Sequence, residues 1–328
     1  DVYKRQIYDG GCPLCTYAAA HIALSKSVGH LHRLDARANP QHPLLYIVKD
    51  RGLDLDEGIV LVYGRRLYHG KDALHMMGLL GGKADWFNKI NAALFRYKFI
   101  AELLYPPLRF IRNTLLRAKG LSKIHNLQDT PLFKHVFAED WNTLPHIMKA
   151  HYAVRPGQGD SVRVDGHLNI DIAPWMKIIN RITGMLISQN GRDIPVTVHF
   201  TSPEGSQDFH FERRFSFPDK TQYFKSRMRV LEGNTLVEIM RFGFAWKLKY
   251  QWVHNKVILS HQGYALHIFG RFLPLPLGLF LGKGHAEEWA ISDDEFAMKT
   301  ATHHPWFGPV ISYEGRFKIT DMSCPTPT

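Results

Sequence analysis

The spacing of apolar positions divides the chain into three parts. In residues 7–84, short apolar runs alternate with stretches of helix formers: the lead-in to "CPLC", then "TYAAAHIALSKS", "HLHRLDA", "GIVLVYGRRLYHG" and "KDALHMMGLLGG". This order predicts a strand, a helix, a second strand, a hairpin that turns at Gly64, and a closing helix ended by glycine. We expect an α/β domain here, and a sheet with this order of elements would be thioredoxin-like.

The second part, residues 85–140, is a basic helical segment and a connector. The pattern predicts two amphipathic helices that are separated at Pro106–Pro107. On the second helix Leu108, Ile111, Leu115 and Leu116 share a face, whereas its polar side and end carry Arg109, Arg112, Arg117 and Lys119. Two interpretations stay open: a packing helix with a solvated basic face, or a helix lying on an anionic membrane surface.

In the third part, residues 141–320, apolar and polar residues alternate with period two, and residues 321–328 form a tail. Runs such as "SVRVDGHLNIDI" and "IPVTVHFTS" predict nine or ten antiparallel strands, and "PWMKIINRITGMLIS" predicts one inserted helix. We expect an α+β, mainly antiparallel β domain in which the sheet curls around the helix as a half-barrel or helix-grip. Its apolar interior would hold a lipid-like ligand.

Composition adds a cellular setting. The 328 residues have room for about two domains, and three cysteines are too few for a secreted disulfide framework. We therefore expect a reducing, cytoplasmic location. The net charge of +11 is concentrated in residues 86–126, with eight Lys or Arg residues against Glu102 alone, which fits peripheral association with an anionic membrane surface.

Residues 1–6, "DVYKRQ", resemble the translation of a sequencing-library adapter. We set them aside as an artefact and expect the natural N-terminus to be missing, which leaves open a lost signal peptide.

The motif "DGGCPLC" carries the chemistry of the first part. A helix N-terminus lowers a thiol pKa, so Cys12 would attack a disulfide and Cys15, one turn later, would resolve the mixed disulfide. Asp9 would cap the turn or assist proton transfer. A zinc site with His30 and His32, or a merely structural cysteine pair, are the alternatives; the His-x-His spacing is shorter than usual for zinc.

These residues also carry a family resemblance. "YDGGCPLC", "IVLVYGRRLYHGKDAL" and "LYPPLRFIRNTLLRAKG" together resemble the DCC family of thiol-disulfide oxidoreductases over residues 7–120. The resemblance implies a thioredoxin-like fold, redox function at Cys12 and Cys15, and no cofactor beyond a redox-active Cys12–Cys15 disulfide. Glu57–Gly58 stand where the wider thioredoxin group commonly has a cis-proline. Residues 141–320 are similar to an uncharacterised bacterial domain of unknown function that recurs beside DCC-like modules.

In the third part, candidate ligand-binding residues come in adjacent pairs. "FERRFSF" places Arg213 and Arg214 on opposite faces of a strand, and "HAEEW" does the same for Glu287 and Glu288. One Arg and one Glu would meet inside the sheet as a structural ion pair, or bind a polar headgroup at the mouth of the pocket. The two histidines of "HHPWFG" are more typical of a turn than of a metal site, and we expect no metal.

Two classes of function follow. The first is a thiol-disulfide oxidoreductase acting on a protein or small-molecule disulfide. The second is a lipid-binding or hydrophobic-ligand-binding protein at the membrane surface in which the CxxC pair is not catalytic. Nucleic acid is a weaker third partner, because the aromatic residues of the basic segment fit an apolar helix face better than a stacking surface.

Overall fold

The computed structural model describes residues 4–21, 31–80, 86–204, 206 and 208–325. It forms two compact units, Asp1–Leu127 and Gln128–Thr328. No helix in the described part of the chain is both long and apolar enough to cross a membrane.

The first unit is a small α/β domain. Its elements are β1 (Lys4–Tyr8), α1 (Pro13–His21), β2 (His32–Asp35), α2 (Pro43–Asp50), β3 (Val60–Tyr63), β4 (Arg66–His69), α3 (Gly70–Leu80), α4 (Trp86–Phe95) and α5 (Lys98–Ala118). The four strands form one sheet in the order β2-β1-β3-β4, with β1 parallel to β2 and antiparallel to β3. The predicted strand–helix–strand order, the hairpin at Gly64 and the closing helix are confirmed, whereas α2 lies in a stretch with no strong sequence signal.

Strand β1 begins inside the segment that we had set aside. Gln6 lies opposite Arg33 of β2 and Leu61 of β3, and it is fully buried. Neither its amide nitrogen nor its amide oxygen has a hydrogen-bond partner. Since a buried unpaired polar group costs about 1–3 kcal/mol, Gln6 is poorly matched to its position, although its backbone completes the sheet.

Helix α5 is longer than predicted. The break expected at Pro106–Pro107 is absent, and α4 and α5 are instead separated at residues 96–97. Prolines at these positions remove hydrogen bonds to the carbonyl groups of Glu102 and Leu103. Both of those residues are exposed, so water can replace the lost bonds, and contacts described below hold the helix on either side of the prolines.

The second unit begins with α6 (Leu132–Phe137), a 3₁₀ helix (Ala138–Thr143) and α7 (His146–His151). Its strands are β5 (Asp160–Ile172), β6 (Gly191–Ser202), β7 (Phe209–Ser216), β8 (Thr221–Glu232), β9 (Thr235–Ile239), β10 (Phe244–Val253), β11 (Lys256–Ile268), β12 (Arg271–Leu275), β13 (Lys283–Ala290), β14 (Glu295–His304) and β15 (Gly308–Met322). Helix α8 (Pro174–Thr183) follows β5, and the short α9 (Gly278–Leu281) follows β12.

The strands form a closed barrel rather than the predicted half-barrel. All pairings are antiparallel, and successive strands pair with one another except that β11 pairs with both β12 and β13. Strand β15 then returns to pair with β5 from Ile311–Ile172 to Met322–Val162. Ten strands thus close into a ring, with β12 beside β11. The prediction failed because closure depends on the first strand pairing with the last.

The helical segment before the barrel packs against its inner face, a role that we had predicted for α8. Phe133 of α6 contacts the rings of Phe209 in β7 and Tyr250 in β10, and His151 of α7 contacts Phe296 in β14. The four aromatic residues among these, together with Trp141, belong to the main hydrophobic core of the second unit, and His151 is buried beside them. The helix-grip expectation is therefore wrong: α8 has only Met176 and Asn180 buried, and its other residues are exposed or half-buried.

Candidate active site at the dithiol

The two cysteines lie where β1 passes into α1. The Cys12 N–H donates to the Asp9 carbonyl at 3.1 Å, which forms the turn, and the Cys12 carbonyl accepts from the Thr16 N–H at 2.9 Å, as in the first turn of a helix. Pro13 is the first residue of α1, a position where its missing N–H is no loss. The sequence therefore places Cys12 at a helix N-terminus, as predicted.

Both cysteines are free thiols in this structure, and they interact directly. The Cys15 N–H donates to the Cys12 sulfur at 3.3 Å. The pKa of Cys12 is lowered to about 6: a hydrogen bond with the Cys15 thiol is the largest cause, burial opposes it, and backbone N–H groups and the charge of Arg112 add to the lowering. The same bond, with burial, raises the pKa of Cys15. Cys12 is thus the thiolate at neutral pH and Cys15 the thiol.

A buried carboxylate lies beneath the turn. Asp9 is 3% exposed and accepts from the Gly11 N–H at 3.0 Å, from Arg37 Nη2 at 3.1 Å and from Arg112 Nη2 at 2.9 Å. Burial opposes its ionisation, but the hydrogen bonds from Arg37 and Arg112 outweigh burial and hold the pKa of Asp9 below its usual range. Asp9 therefore caps the turn, which is one of the two roles that we predicted for it.

Arg112 does not face outward, which corrects the prediction that it belongs to a membrane surface. It is 5% exposed and donates to Asp9, to the Leu55 carbonyl at 3.0 Å and to the Asp56 carbonyl. Arg109, one turn earlier, forms an ion pair with Glu57. Of the four basic residues assigned to that surface, only Arg117 and Lys119 are exposed.

Sequence reasoning missed Arg37 and Arg112 as parts of the site. Arg112 lies four residues after Leu108 and four before Leu116, so it stands in an apolar row of the helix. A charged residue in an apolar row was the one feature of the sequence that could have indicated a buried role for Arg112. Arg37 lies in the loop after β2, where no periodicity marks it, and only the fold brings it to Asp9.

Helix α5 lies over the dithiol. Leu116 packs in one cluster with Cys12 and Cys15, and Cys12 has no exposed surface. Tyr105 of the same helix donates to the carbonyl of Glu57, which with Gly58 stands where the wider thioredoxin group commonly has a cis-proline. The helix that the sequence marked as basic therefore covers the dithiol and the loop that precedes β3.

Of the two histidines proposed as zinc ligands, the one that the structure describes, His32, does not lie at the dithiol. His32 begins β2 opposite Arg5, three strand positions from the end of β1, where the dithiol turn starts. His30 lies outside the described residues.

In the barrel, the two members of each charged pair lie on opposite faces of their strand, as the alternation predicts. Arg213 points inward and lies between the rings of Phe211 and Phe224, with its guanidinium 4.6 Å from each centroid. It binds Glu238 at 3.0 Å rather than Glu288. Arg214 is exposed on the outer face.

The two glutamates are likewise divided between the faces. Glu288 is inside, where it accepts from the Tyr152 hydroxyl and lies 3.4 Å from His151 Nε2. Burial opposes its ionisation, but these two groups hold its pKa below the usual range. Glu287 is outside and pairs with Lys256 at 2.8 Å. The single Arg–Glu pair that we expected is therefore replaced by separate partners for each residue.

His304 organises a turn. Its Nε2 lies 2.9 Å from the Leu279 carbonyl, and its Nδ1 accepts from the N–H groups of Trp306 and Phe307, both at 3.1 Å. Both ring nitrogens are thus engaged by backbone groups.

The larger of two adjoining cavities on the outer face of the barrel lies against β5, β6 and β15. It has a volume of about 740 Å³, and its lining combines polar residues (Asp165, His167, Asn169, Arg316 and Lys318) with Leu168, Val196 and Phe317. The other, of about 260 Å³, adjoins it on the same strands. These cavities do not match the apolar interior expected for a lipid-like ligand.

Fold and site together define a protein of two modules: a small α/β module with a CxxC pair at a helix N-terminus, and a closed antiparallel barrel. Comparison with family models gives the same division. Residues 6–118 match the DCC1-like thiol-disulfide oxidoreductase model, and residues 144–317, more than half of the chain, match a domain of unknown function, DUF4166. The chain belongs to the DUF4166 family and carries a DCC1-like module ahead of that domain.

Other comparisons add less. None of the curated proteins matches the chain. Among solved structures, Rv2717c from M. tuberculosis is similar at 10% identity over 56% of this chain and 99% of its own, with a TM-score of 0.28. The dehydratase domain of the polyketide protein PpsC from M. tuberculosis is similar at 10% identity over 53% of this chain and 80% of its own, with a TM-score of 0.12. At these scores neither likeness identifies a fold or an activity.

Proposed function

We propose that the first unit is a thioredoxin-like thiol-disulfide oxidoreductase in which Cys12 is the nucleophile and Cys15 the resolving thiol. The observation that carries the proposal is the division of protonation within the pair. Cys12, with its pKa lowered to about 6, is ionised at neutral pH, while Cys15 keeps its proton. The match to the DCC1-like family supports the same chemistry.

The reaction follows from that division. The Cys12 thiolate attacks one sulfur of a substrate disulfide, so that a Cys12–substrate bond forms and the other substrate sulfur leaves as a thiolate that takes a proton. Cys15 then loses its proton and attacks the Cys12 sulfur. A Cys12–Cys15 disulfide forms and the second substrate thiol is released. The dithiol loses two electrons and the substrate gains them; the reverse sequence oxidises a substrate dithiol.

Asp9 and Arg112 hold the site rather than react. Because Asp9 is bound by two guanidinium groups, its negative charge is balanced and does not oppose the Cys12 thiolate. Arg112 in turn lies close enough for its charge to lower the pKa of both thiols. These groups keep the turn in place while the sulfur–sulfur bond is exchanged.

The test is reduction of insulin disulfides with dithiothreitol as the electron source. We expect Cys12→Ser to lower the rate to that of the uncatalysed reaction, and Cys15→Ser to accumulate a mixed disulfide with insulin that mass spectrometry detects. Cys324→Ser, which changes the third cysteine in the second unit, is the matched control and should retain the full rate. Equal rates for Cys12→Ser and the control would refute the proposal.

A further inference from the structure

One end of the barrel gathers the connections that carry the largest exposed apolar side chains of the second unit. Helix α8 follows β5 at this end, where the Ala173 N–H donates to the Val310 carbonyl at 2.9 Å. The β14–β15 turn lies beside it, because Ile311 is opposite Ile172. Lys283 opposite His303 brings the start of β13 to the same end, and Phe244 opposite Leu266 brings the start of β10.

Each of these connections exposes apolar side chains. Trp306 in the β14–β15 turn is 82% exposed, Ile182 of α8 is 80% exposed, and Phe269 at the β11–β12 turn is 96% exposed. The remaining members of this surface, which we call the apolar end, are Ile178, Phe242, Leu279, Phe280 and Phe307. An isolated exposed apolar residue is ordinary, whereas a continuous group marks an interaction surface.

Hydrogen bonds join the connections to one another. Arg241, next to Phe242, donates to the Thr183 carbonyl at the end of α8 at 3.3 Å. His304, two residues before Trp306, lies 2.9 Å from the Leu279 carbonyl. The apolar side chains are therefore held on neighbouring supports rather than scattered around the barrel.

Two of the exposed phenylalanines also have unfavourable backbone conformations. Phe242 has φ 61° and Phe269 has φ 48°, in the left-handed region that glycine and asparagine adopt most readily. A bulky residue there costs about 1 kcal/mol or more. The Arg241 guanidinium lies 4.8 Å from the centroid of the Phe242 ring, but both rings remain mostly exposed to water. A contact between the ring and a binding partner would account for a phenylalanine in this conformation.

The four stretches of chain that carry the exposed apolar side chains have charges of one sign only. Residues 173–187, 240–245, 266–283 and 303–310 contain no Asp or Glu but contain Lys177, Arg181, Arg241, Arg271 and Lys283. In the whole chain the ratio of Lys and Arg to Asp and Glu is 41 to 30. The β7–β8 turn, at the same end, is balanced by Asp219 and Lys220.

We propose that the apolar end docks on an anionic phospholipid bilayer. Such a membrane selects projecting Trp, Phe, Ile and Leu side chains that enter the boundary between headgroups and acyl chains, on connections that contain Lys and Arg but no acidic residue. Aliphatic tips such as Ile182 and Leu279 offer no stacking face to nucleic-acid bases. The basic residues would also repel one another across an interface between two copies. This inference is independent of the redox chemistry of the first unit.

The full chain is sedimented with vesicles of phosphatidylcholine alone or of phosphatidylcholine mixed with phosphatidylglycerol. We expect binding to the mixed vesicles only, and weaker binding as salt increases. The double variant Phe269→Asn, Trp306→Ser should bind at least roughly tenfold more weakly; Asn suits the left-handed conformation, so the turn keeps its fold. Arg271→Gln should weaken binding about fivefold.

Ile291→Ser is the matched control, because Ile291 is an exposed apolar residue at the opposite end of the barrel; it should bind as the unmodified chain does. Equal binding to both kinds of vesicle, or undiminished binding by the double variant, would overturn the proposal. So would a dimer in analytical ultracentrifugation that the double variant abolishes, which would assign the apolar end to a second copy of the chain.

Discussion

At the scale of single residues, the dithiol depends on a chain of charges that begins far away in sequence. Arg112 binds Asp9, Asp9 holds the turn through the Gly11 N–H, and the turn presents Cys12. Each step is a buried or half-buried hydrogen bond to a charged group. Removing one partner of such a bond is costly, because the other partner stays buried without a hydrogen bond. The reactivity of Cys12 is thus a property of the loops and of α5 as much as of the CxxC motif.

The first prediction concerns Arg112. Arg112→Met removes the positive charge that lowers the pKa of Cys12, so we expect that pKa to rise from about 6 and alkylation by iodoacetamide at neutral pH to slow. The pH profile of alkylation measures the shift. Arg112→Lys, which keeps the charge, should restore part of the rate. Arg109→Met, on the same helix but paired with Glu57, should leave the profile unchanged; a shift of equal size in that control would contradict the assignment.

The lowered pKa also sets a pH dependence for the reduced protein. Because the folded state favours the Cys12 thiolate, this group stabilises the folded, reduced form fully above the thiol pKa of the unfolded chain, about 8.5. That contribution diminishes as pH decreases and is lost as pH falls through about 6. Cys12→Ser should remove this part of the dependence when unfolding is measured across that range.

At the scale of elements, the sequence predicted correctly those features that depend on interactions between neighbouring residues. The hairpin of β3 and β4 and the N-terminal position of Cys12 were predicted because a glycine turn and a proline in the first helical turn act on adjacent residues. The continuity of α5 was not, because it depends on Tyr105, Arg109 and Arg112 binding loop residues about fifty positions earlier. Because of the same contacts, α5, which we predicted to be a surface helix, covers the dithiol.

A second prediction tests that cover. Leu116→Ala removes about 2–3 kcal/mol of packing, which should raise the population of the uncovered dithiol, and with it the alkylation rate of Cys12 by a bulky maleimide, by roughly 30-fold. Ile111→Ala changes an exposed residue of the same helix and serves as the control. The pKa of Cys12 should stay near 6 in both variants, which separates access from ionisation. An unchanged rate in Leu116→Ala would show that α5 does not limit access.

At the scale of the whole molecule, period-two alternation predicted an antiparallel sheet. It also placed the two members of each charged pair, Arg213 with Arg214 and Glu287 with Glu288, on opposite faces of that sheet. It did not predict closure. Alternation specifies which face of a strand is buried, but the partner of β5 is a strand that starts more than a hundred residues later. The helices that fill the inner face were missed for a related reason: short helices with few residues per face give a weak periodic signal.

The third prediction concerns the strand pair that closes the barrel. A Cβ atom at Gly315 would lie 1.8 Å from the His167 carbonyl oxygen on β5, so Gly315→Ala must push the two strands apart. We expect the free energy of unfolding to fall by about 1–3 kcal/mol. Chemical denaturation followed by tryptophan fluorescence reports on the barrel, because six of the seven tryptophans lie beyond residue 128. Gly278→Ala, where a Cβ meets nothing, should change it little.

The pairing of β15 with β5 also decides when the barrel can be completed during synthesis. The last residue of that ladder, Met322, is opposite Val162 at its beginning, so the ring cannot close fully until residue 322 has left the ribosome. Until then β5 and β14 each present an open strand edge, which can pair with another nascent chain. A truncation within β15 would make that transient state permanent, and aggregation rather than loss of a single contact would be its result.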